Sequence, residues 1–307
     1  MALRSWQADL LLLLVTAIWG WTFPVVESAT RWVHVFPFLA LRFDLAAAVL
    51  AVLVWPRLRR APAATWGAGA LVGLFLFGGY ALQTFGMGLN RSPAKTGFIT
   101  GLSVVLVPVL SRMWLRRPVA VQAWAGVALS TAGLALMTLN GRLAPHAGDL
   151  LVLGSALAFA LHVTAVARYA GAHDPAALAA IQVGTAALAA HASAVLTGTW
   201  RPLSTVDAAV WQAIVITGLL ATALAFWLQN TLQPFTTPTH TALIFAAEPV
   251  WAAAFAWLLS GETLTGRAYV GGALIVLGMI LAELSSLLKR KPASRGEARE
   301  AARQSTL

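Results

Sequence analysis

The 307-residue chain has no cysteine, only 11 acidic residues, and just 10% charged residues in total. A soluble domain carries about 25% charged residues, so the composition excludes an ordinary soluble protein. Without cysteine there is no disulfide and no thiolate metal site. The chain also lacks H-E-x-x-H, a P-loop, and a G-x-S-x-G around Ser103, which argues against zinc hydrolysis, ATP hydrolysis and a serine-hydrolase elbow. Its loops are too short for a soluble catalytic domain. No metal and no cofactor is expected. The apolar runs are long and lack alternation, which excludes membrane strands. The net charge of +10 does not point to nucleic acid, because the basic residues sit at the ends of apolar runs and in the last segment rather than on one face.

What the chain has in quantity is apolar length. A helix needs about 20 residues to cross the hydrocarbon, and ten such segments can be read: 8–26, 35–55, 66–88, 93–114, 121–140, 149–168, 175–197, 208–232, 238–259 and 267–288. Pro234 and Pro238 divide the long uncharged run from Ala208 to Ala247, since proline lacks the amide donor and favours helix starts. The first span follows the N-terminus without an A-x-A-like site, so it is expected to be retained. With both termini on one side, that side holds fourteen of the 21 basic residues; Arg31, Arg91, Lys95, Arg142, Arg201 and Arg267 fall on the other, and Arg42 lies within the second span. The excess predicts cytoplasmic termini. Trp6, Trp32, Trp55, Trp66, Trp114, Trp124, Trp200 and Trp211 fall at span ends, as an aromatic belt requires.

The plan repeats. Asp9 and Asp149 begin similar runs 140 residues apart, Pro108 and Pro249 are 141 apart, and Gly126 and Gly133 precede Gly271 and Gly278 by 145. The extra residues are expected near the polar break Ser260-Gly261-Glu262-Thr263. Five spans per half would make the halves inverted, a common plan for transporters with a site near the midplane. The reading is an all-α integral membrane protein of ten transmembrane helices in a five-plus-five inverted repeat. Its parts are residues 1–141 (helices 1–5), 142–288 (helices 6–10) and a polar, basic cytoplasmic tail at 289–307.

The ordered set Ala17-Ile18-Trp19-Gly20 with Phe23, Leu41-Arg42-Phe43, Gln83-Thr84, Thr96-Gly97-Phe98-Ile99-Thr100-Gly101, Val107-Pro108, Glu248-Pro249-Val250, Gly261-Glu262 and the Gly271–Gly278 spacing resembles the EamA family of the drug/metabolite transporter superfamily. The resemblance covers residues 8–288. It implies a central cavity and the movement of small metabolites, often amino acids or their relatives, across the inner membrane. The halves are not chemically equal: Arg116-Arg117-Pro118 stands where the second half has Gly261-Glu262-Thr263, and Val107 where it has Glu248.

Several in-span polar and aromatic residues are candidates for a substrate site, each with a structural alternative. Glu248 could take up a proton or bind a substrate amine, or could pair between helices; a charged carboxylate in hydrocarbon costs about 2.5 kcal/mol or more. Arg42, about seven residues or roughly 10 Å from its helix end, could clamp a carboxylate or pair structurally. Asp44, two residues on, should face elsewhere, and Lys95 suits a headgroup contact. Trp19, Phe23, Trp227 and Trp251 could line an aromatic cavity or pack against lipid and core, and Trp21 points away from the Trp19 face. Tyr80, Gln83 and Thr84 share a polar face of helix 3, with Thr100 and Ser103 on helix 4; these, like Gln229 and Asn230, could bond solute or a neighbouring helix. His162 could relay protons or serve as an interhelical bonder. Pro24 and Pro108 are candidate hinges, and Gly69-x-x-x-Gly73 and Gly97-x-x-x-Gly101 candidate close approaches.

The expected function is a secondary transporter that exports amino acids or related compounds by alternating access. Its partners would be a small-molecule substrate, membrane lipid and protons as the coupling ion, with no nucleic acid. Uptake is the alternative, followed by an intramembrane enzyme using Ser103 and His162. A passive channel fits less well with the charged pair Arg42 and Glu248.

Overall fold

The structure is a computed structural model that describes residues 5–90, 93–138, 147–200, 207–260 and 265–289. The polar break at 261–264, the tail from 290 on, Arg91, Arg142 and Arg201, and the side chains of Phe23 and Lys95 lie outside that description.

Among the described residues every regular element is helical. The elements are α1 (Ser5–Ala29), α2 (Val35–Leu58), α3 (Ala63–Asn90), α4 (Pro93–Gly101), α5 (Ser103–Trp114), α6 (Val121–Thr138), α7 (Ala147–Tyr169), α8 (Pro175–Leu196), α9 (Ala208–Gly218), a π-helical segment (Leu219–Leu224), α10 (Ala225–Leu232), a 3₁₀ turn (Gln233–Phe235), α11 (Pro238–Phe245), α12 (Glu248–Ser260) and α13 (Gly266–Lys289). Seven stretches are long and apolar enough to cross a membrane, and α6 and α13 supply shorter apolar runs. The chain is a multi-pass membrane protein. Trp6, Trp32, Trp55, Trp66, Trp124 and Trp200 are exposed at helix ends, where amphipathic rings meet headgroups.

Local chemistry sets the starts. Asp174 accepts from the Ala177 amide at 2.8 Å and precedes Pro175. Asp207 caps α9 through the Ala209 amide at 2.7 Å, and Thr237 caps α11 through the His240 amide at 3.1 Å just before Pro238. Each cap satisfies an otherwise orphaned N–H.

Three spans expected to be continuous are interrupted. The 208–232 span passes through the π-helical segment. The 93–114 span breaks at Leu102, and the 238–259 span breaks at Ala246 and Ala247. Pro249 explains the last break: it cannot donate to Phe245, four residues back, and its ring crowds that carbonyl. Pro24 and Pro108 lie within unbroken α1 and α5, so neither marks an interruption; the break in the first half falls six residues before Pro108.

The helix starts give a register that differs from the proline pairing. Ala63 and Ala208, Pro93 and Pro238, Ser103 and Glu248, and Val121 and Gly266 are each 145 apart, while Val35 and Pro175 are 140 apart. At a spacing of 145, Glu248 falls opposite Ser103 and Pro249 opposite Val104. The spacing changes from 140 to 145 between the starts of α8 and α9.

Helix pairs close where side chains are smallest. The α6–α13 pair is antiparallel: a Cβ on Gly126 would lie 2.6 Å from the Gly278 carbonyl oxygen, and one on Gly133 would lie 2.5 Å from that of Gly271. Helices α2 and α8 are also antiparallel, with Arg57 3.9 Å from Asp174 at one end and Asp44 2.6 Å from His191 farther along. Asp44 thus turns away from Arg42, as its place on α2 predicts. Gly69 and Gly73 bring α3 against Ile181 and Gln182 of α8. Gly97 instead faces open space, and Gly101 meets only the Leu134 side chain, so that second small-residue pair does not bring two backbones together.

Because no real Cβ tolerates 2.6 Å to a carbonyl, Gly126→Ala should lower stability by about 1–3 kcal/mol. Gly97→Ala should be neutral or stabilising by up to about 1 kcal/mol. Thermal unfolding of the detergent-solubilised protein, followed by size-exclusion recovery, separates the two; equal melting of both variants would contradict the packing.

Candidate functional site

The π-helical segment builds the centre of the molecule. A π-turn widens the backbone ladder and leaves a carbonyl available to side chains. Here the Ala221 carbonyl accepts from Trp19 Nε1 at 3.0 Å and from Arg42 Nη2 at 3.4 Å. The Thr222 hydroxyl donates to the Thr217 carbonyl, five residues back, at 2.9 Å, and its oxygen accepts from Arg42 Nε at 2.7 Å. Arg42 Nη2 also reaches the Tyr80 hydroxyl at 3.3 Å, and the guanidinium carbon stands 4.6 Å from the Tyr80 ring centroid. That geometry allows a cation–π attraction of about 1–2 kcal/mol where water is excluded.

Arg42 is only 2% exposed. Among the described residues no carboxylate lies in ion-pair range of it, and its Nη1 has no hydrogen-bond acceptor. A buried charge without a counter-ion is costly, and neutral acceptors only partly replace one. The arrangement therefore presents a fixed, positively charged fork with one nitrogen uncommitted, suited to a carboxylate.

Aromatic rings surround this cation. Trp19 packs on Phe226 at 5.8 Å and edge-on to Phe245 at 5.0 Å, while Tyr80 meets Phe43, Phe159 and Phe226 at 5.6, 5.4 and 6.2 Å. Glu248 opens α12 and is half-buried. The approach of α1 sets its place: a Cβ on Gly20 would stand 2.8 Å from the Glu248 carbonyl oxygen and 2.9 Å from the Ala252 amide. Arg42, Tyr80, Trp19 and Glu248, drawn from α2, α3, α1 and α12, thus gather around one centre.

The remaining candidates distribute differently. Gln83 donates to Thr100 at 3.2 Å and joins α3 to α4, whereas Thr84 bonds its own helix at the Tyr80 carbonyl; the proposed polar face of helix 3 serves three partners rather than one. Ser103 opens α5 and is half-buried. His162 bonds Gln182 at 3.0 Å and lies 5.6 Å from Phe226; among the described residues no hydrogen bond joins it to Ser103, the other half of the enzyme alternative. Trp251 is half-buried against α1 and 6.4 Å from Phe255. Trp227 is 40% exposed on the outside of the bundle, so it leaves the candidate set: Phe226, one residue back, is the ring that turns inward. Among the described residues no cluster of three or more His, Cys, Asp or Glu is placed to hold a metal.

The sequence reading overlooked Ala221, Thr222, Phe226 and Gln182. It also overlooked a pair near the start of α1, where Asp9 stands 3.4 Å from His240 with both side chains largely buried. Thr217 and Thr222 were the visible signal of the π-segment, two hydroxyls five apart in an otherwise apolar run.

Thr222→Val removes the acceptor of Arg42 Nε and leaves a charged N–H unpaired, so unfolding should become easier by about 1–3 kcal/mol. Thr222→Ser should stay near the parent. Thermal melts in detergent give the comparison, and a Val variant as stable as the parent would show that Arg42 does not depend on this hydroxyl.

The model of the EamA-like transporter family matches residues 6–139 and 146–284. An uncharacterized transporter of Archaeoglobus fulgidus is 33% identical over 279 residues, covering 90% of this chain and 86% of the relative. The uncharacterized transporter YvbV of Bacillus subtilis is 29% identical over 224 residues, covering 70% of this chain and 69% of its own. A crystal structure of a protein 22% identical in sequence superposes with a TM-score of 0.77, over 94% of this chain and all of the other, which speaks to the fold alone. On these matches, this chain belongs to the EamA-like transporter family.

Proposed function

We propose that the chain is a secondary transporter that exports small carboxylate-bearing metabolites, amino acids or their relatives, across the inner membrane by alternating access. The observation that carries this reading is Arg42: a buried cation in a membrane-spanning helix, held by neutral partners, with Nη1 open. A substrate carboxylate would supply the missing counter-ion. Glu248, across Tyr80, would take the substrate ammonium or the coupling proton, and Trp19, Tyr80 and Phe226 would wall the site. Such a site rewards a zwitterion and leaves a charge uncompensated when the substrate lacks one.

The architecture we propose is ten spans in a five-plus-five inverted repeat. Residues 1–141 form the first repeat, 142–288 the second, and 289–307 a cytoplasmic tail. In its support, the 145-residue spacing recurs at four helix starts, and the family match falls in two stretches of similar length. At that spacing the contact of Gly126 with Gly278 maps onto the contact of Gly271 with Gly133, as a two-fold relation requires. The basic excess favours cytoplasmic termini.

The test is counterflow in proteoliposomes, using purified protein and a panel of labelled amino acids with and without a pH gradient. Exchange of one class is expected. Arg42→Lys, which keeps the charge but loses the planar fork, should cut kcat/KM at least tenfold. Glu248→Gln should abolish the response to the gradient while exchange continues. Absence of counterflow for every amino acid would reject this substrate class, and an unchanged gradient response in Glu248→Gln would reject its coupling role.

A further inference from the structure

We propose that His162 and Gln182 form a second solute station, the counterpart of the Arg42 station, reached from the membrane side on which α1 and α8 begin. The inference rests on the carrier reading above and deepens it: the ligand is the same small metabolite, held by hydrogen bonds rather than by a fixed charge.

The register places the two stations. Helices α2 and α8 start 140 residues apart, and at that spacing Arg42 maps onto Gln182 and Thr22 onto His162. Because α2 and α8 are antiparallel, with Arg57 beside Asp174 and Asp44 beside His191, Gln182 lies level with the region around residue 51 of α2. That is about nine residues from Arg42, or roughly 13 Å along the bundle at 1.5 Å per residue. Phe226 spans the interval, its ring 5.6 Å from His162 on one side and 6.2 Å from Tyr80 on the other. One ring therefore touches both polar centres.

The second centre carries open hydrogen-bonding capacity. Gln182 is fully buried; its Oε1 meets His162 Nε2 at 3.0 Å, and among the described residues its Nε2 has no partner. Turning the amide over would leave the oxygen open instead, so one polar atom is unpaired in either assignment. A buried unpaired amide group costs about 1–3 kcal/mol, and a transient ligand would satisfy it. Just beyond Phe226 on α10, Gln229 Oε1 and Asn230 Oδ1 are likewise buried and without partners among the described residues. Gln229 donates to Gln233, and Gln233 donates to the Val163 carbonyl, the residue after His162, at 2.6 Å. An open donor on α8 and open acceptors on α10 suit a solute that carries both an oxygen acceptor and N–H donors. Both stations are thus fitted to one amino-acid-like molecule, one with a charge and one without.

The absence of cysteine makes the test direct. Gln182→Cys and Arg42→Cys, in separate proteins, each introduce a single thiol. Vesicles of one orientation are treated with the membrane-impermeant reagent 2-sulfonatoethyl methanethiosulfonate on either side, and the adduct is read by mass. Gln182→Cys should react from the side where α1 begins at least tenfold faster than from the other, and Arg42→Cys should show the reverse preference. A merely packed Gln182 would leave its cysteine unreactive from both sides; that result, with Arg42→Cys still reactive, would overturn the second station and leave the carrier reading intact. Equal reaction of Gln182→Cys from both sides would also overturn it. Failure of the carrier reading is read separately, as absence of counterflow in the unsubstituted protein. If Gln182→Cys does not survive size exclusion, His162→Cys takes its place with the same expectation.

Discussion

A guanidinium buried in a membrane bundle has to be satisfied by the protein itself, and the centre of this structure follows from that requirement. Among the described residues Arg42 has no carboxylate within ion-pair range. Its hydrogen bonds go instead to a hydroxyl, a phenol and a backbone carbonyl. The carbonyl belongs to residues 219–224, wound as a π-helix, and the hydroxyl is oriented because Thr222 donates back to Thr217. The irregular turn, the cation and the Trp19 indole that shares the same carbonyl are therefore one device.

The scaffold that holds this device was largely legible in the sequence, because hydrocarbon imposes length and hydropathy so strictly. The expected ends of the second, sixth and seventh spans agree with α2, α7 and α8 to within a few residues. The glycine spacings at 126, 133, 271 and 278 were also informative, since a glycine that admits a neighbouring backbone leaves its mark in composition. Proline was a poorer guide. Pro108 and Pro249 look alike in sequence, yet Pro249 stands at a helix break while Pro108 lies inside α5; aligning on them shifts the register by about one helical turn. Helix starts give a spacing of 145 at four pairs instead.

The site was legible only in part. Arg42, Tyr80, Trp19 and Glu248 could be singled out because charge and large aromatics are conspicuous in an apolar span. Ala221 could not: its contribution is a backbone carbonyl, and the hydroxyls of Thr217 and Thr222 mark the π-segment without marking that carbonyl. Gln182 was hidden for the opposite reason, since an amide in a span is as often a bond between helices, and only the unpaired half of its side chain distinguishes it. Trp227 shows the converse: it lies 40% exposed on the outside, while its neighbour Phe226 turns inward beside His162.

The unequal chemistry of the two halves then acquires a physical sense. In the repeat proposed above, Arg42 would stand opposite Gln182 at a spacing of 140 residues, and Ser103 opposite Glu248 at a spacing of 145. A carrier with identical stations would hold its solute alike on both sides of the membrane. Replacing a cation by an amide at one of them lowers the electrostatic hold there while keeping hydrogen-bond geometry, because charge-assisted hydrogen bonds are roughly twice as strong as neutral ones. The glycine-lined contacts between α6 and α13 lie away from these substitutions and keep the same pairing on both sides. In the carrier proposed above, a duplicated backbone would rock between two arrangements while the side chains made those arrangements differ in affinity, and it is that difference, not the rocking itself, through which a bound solute would bias the equilibrium.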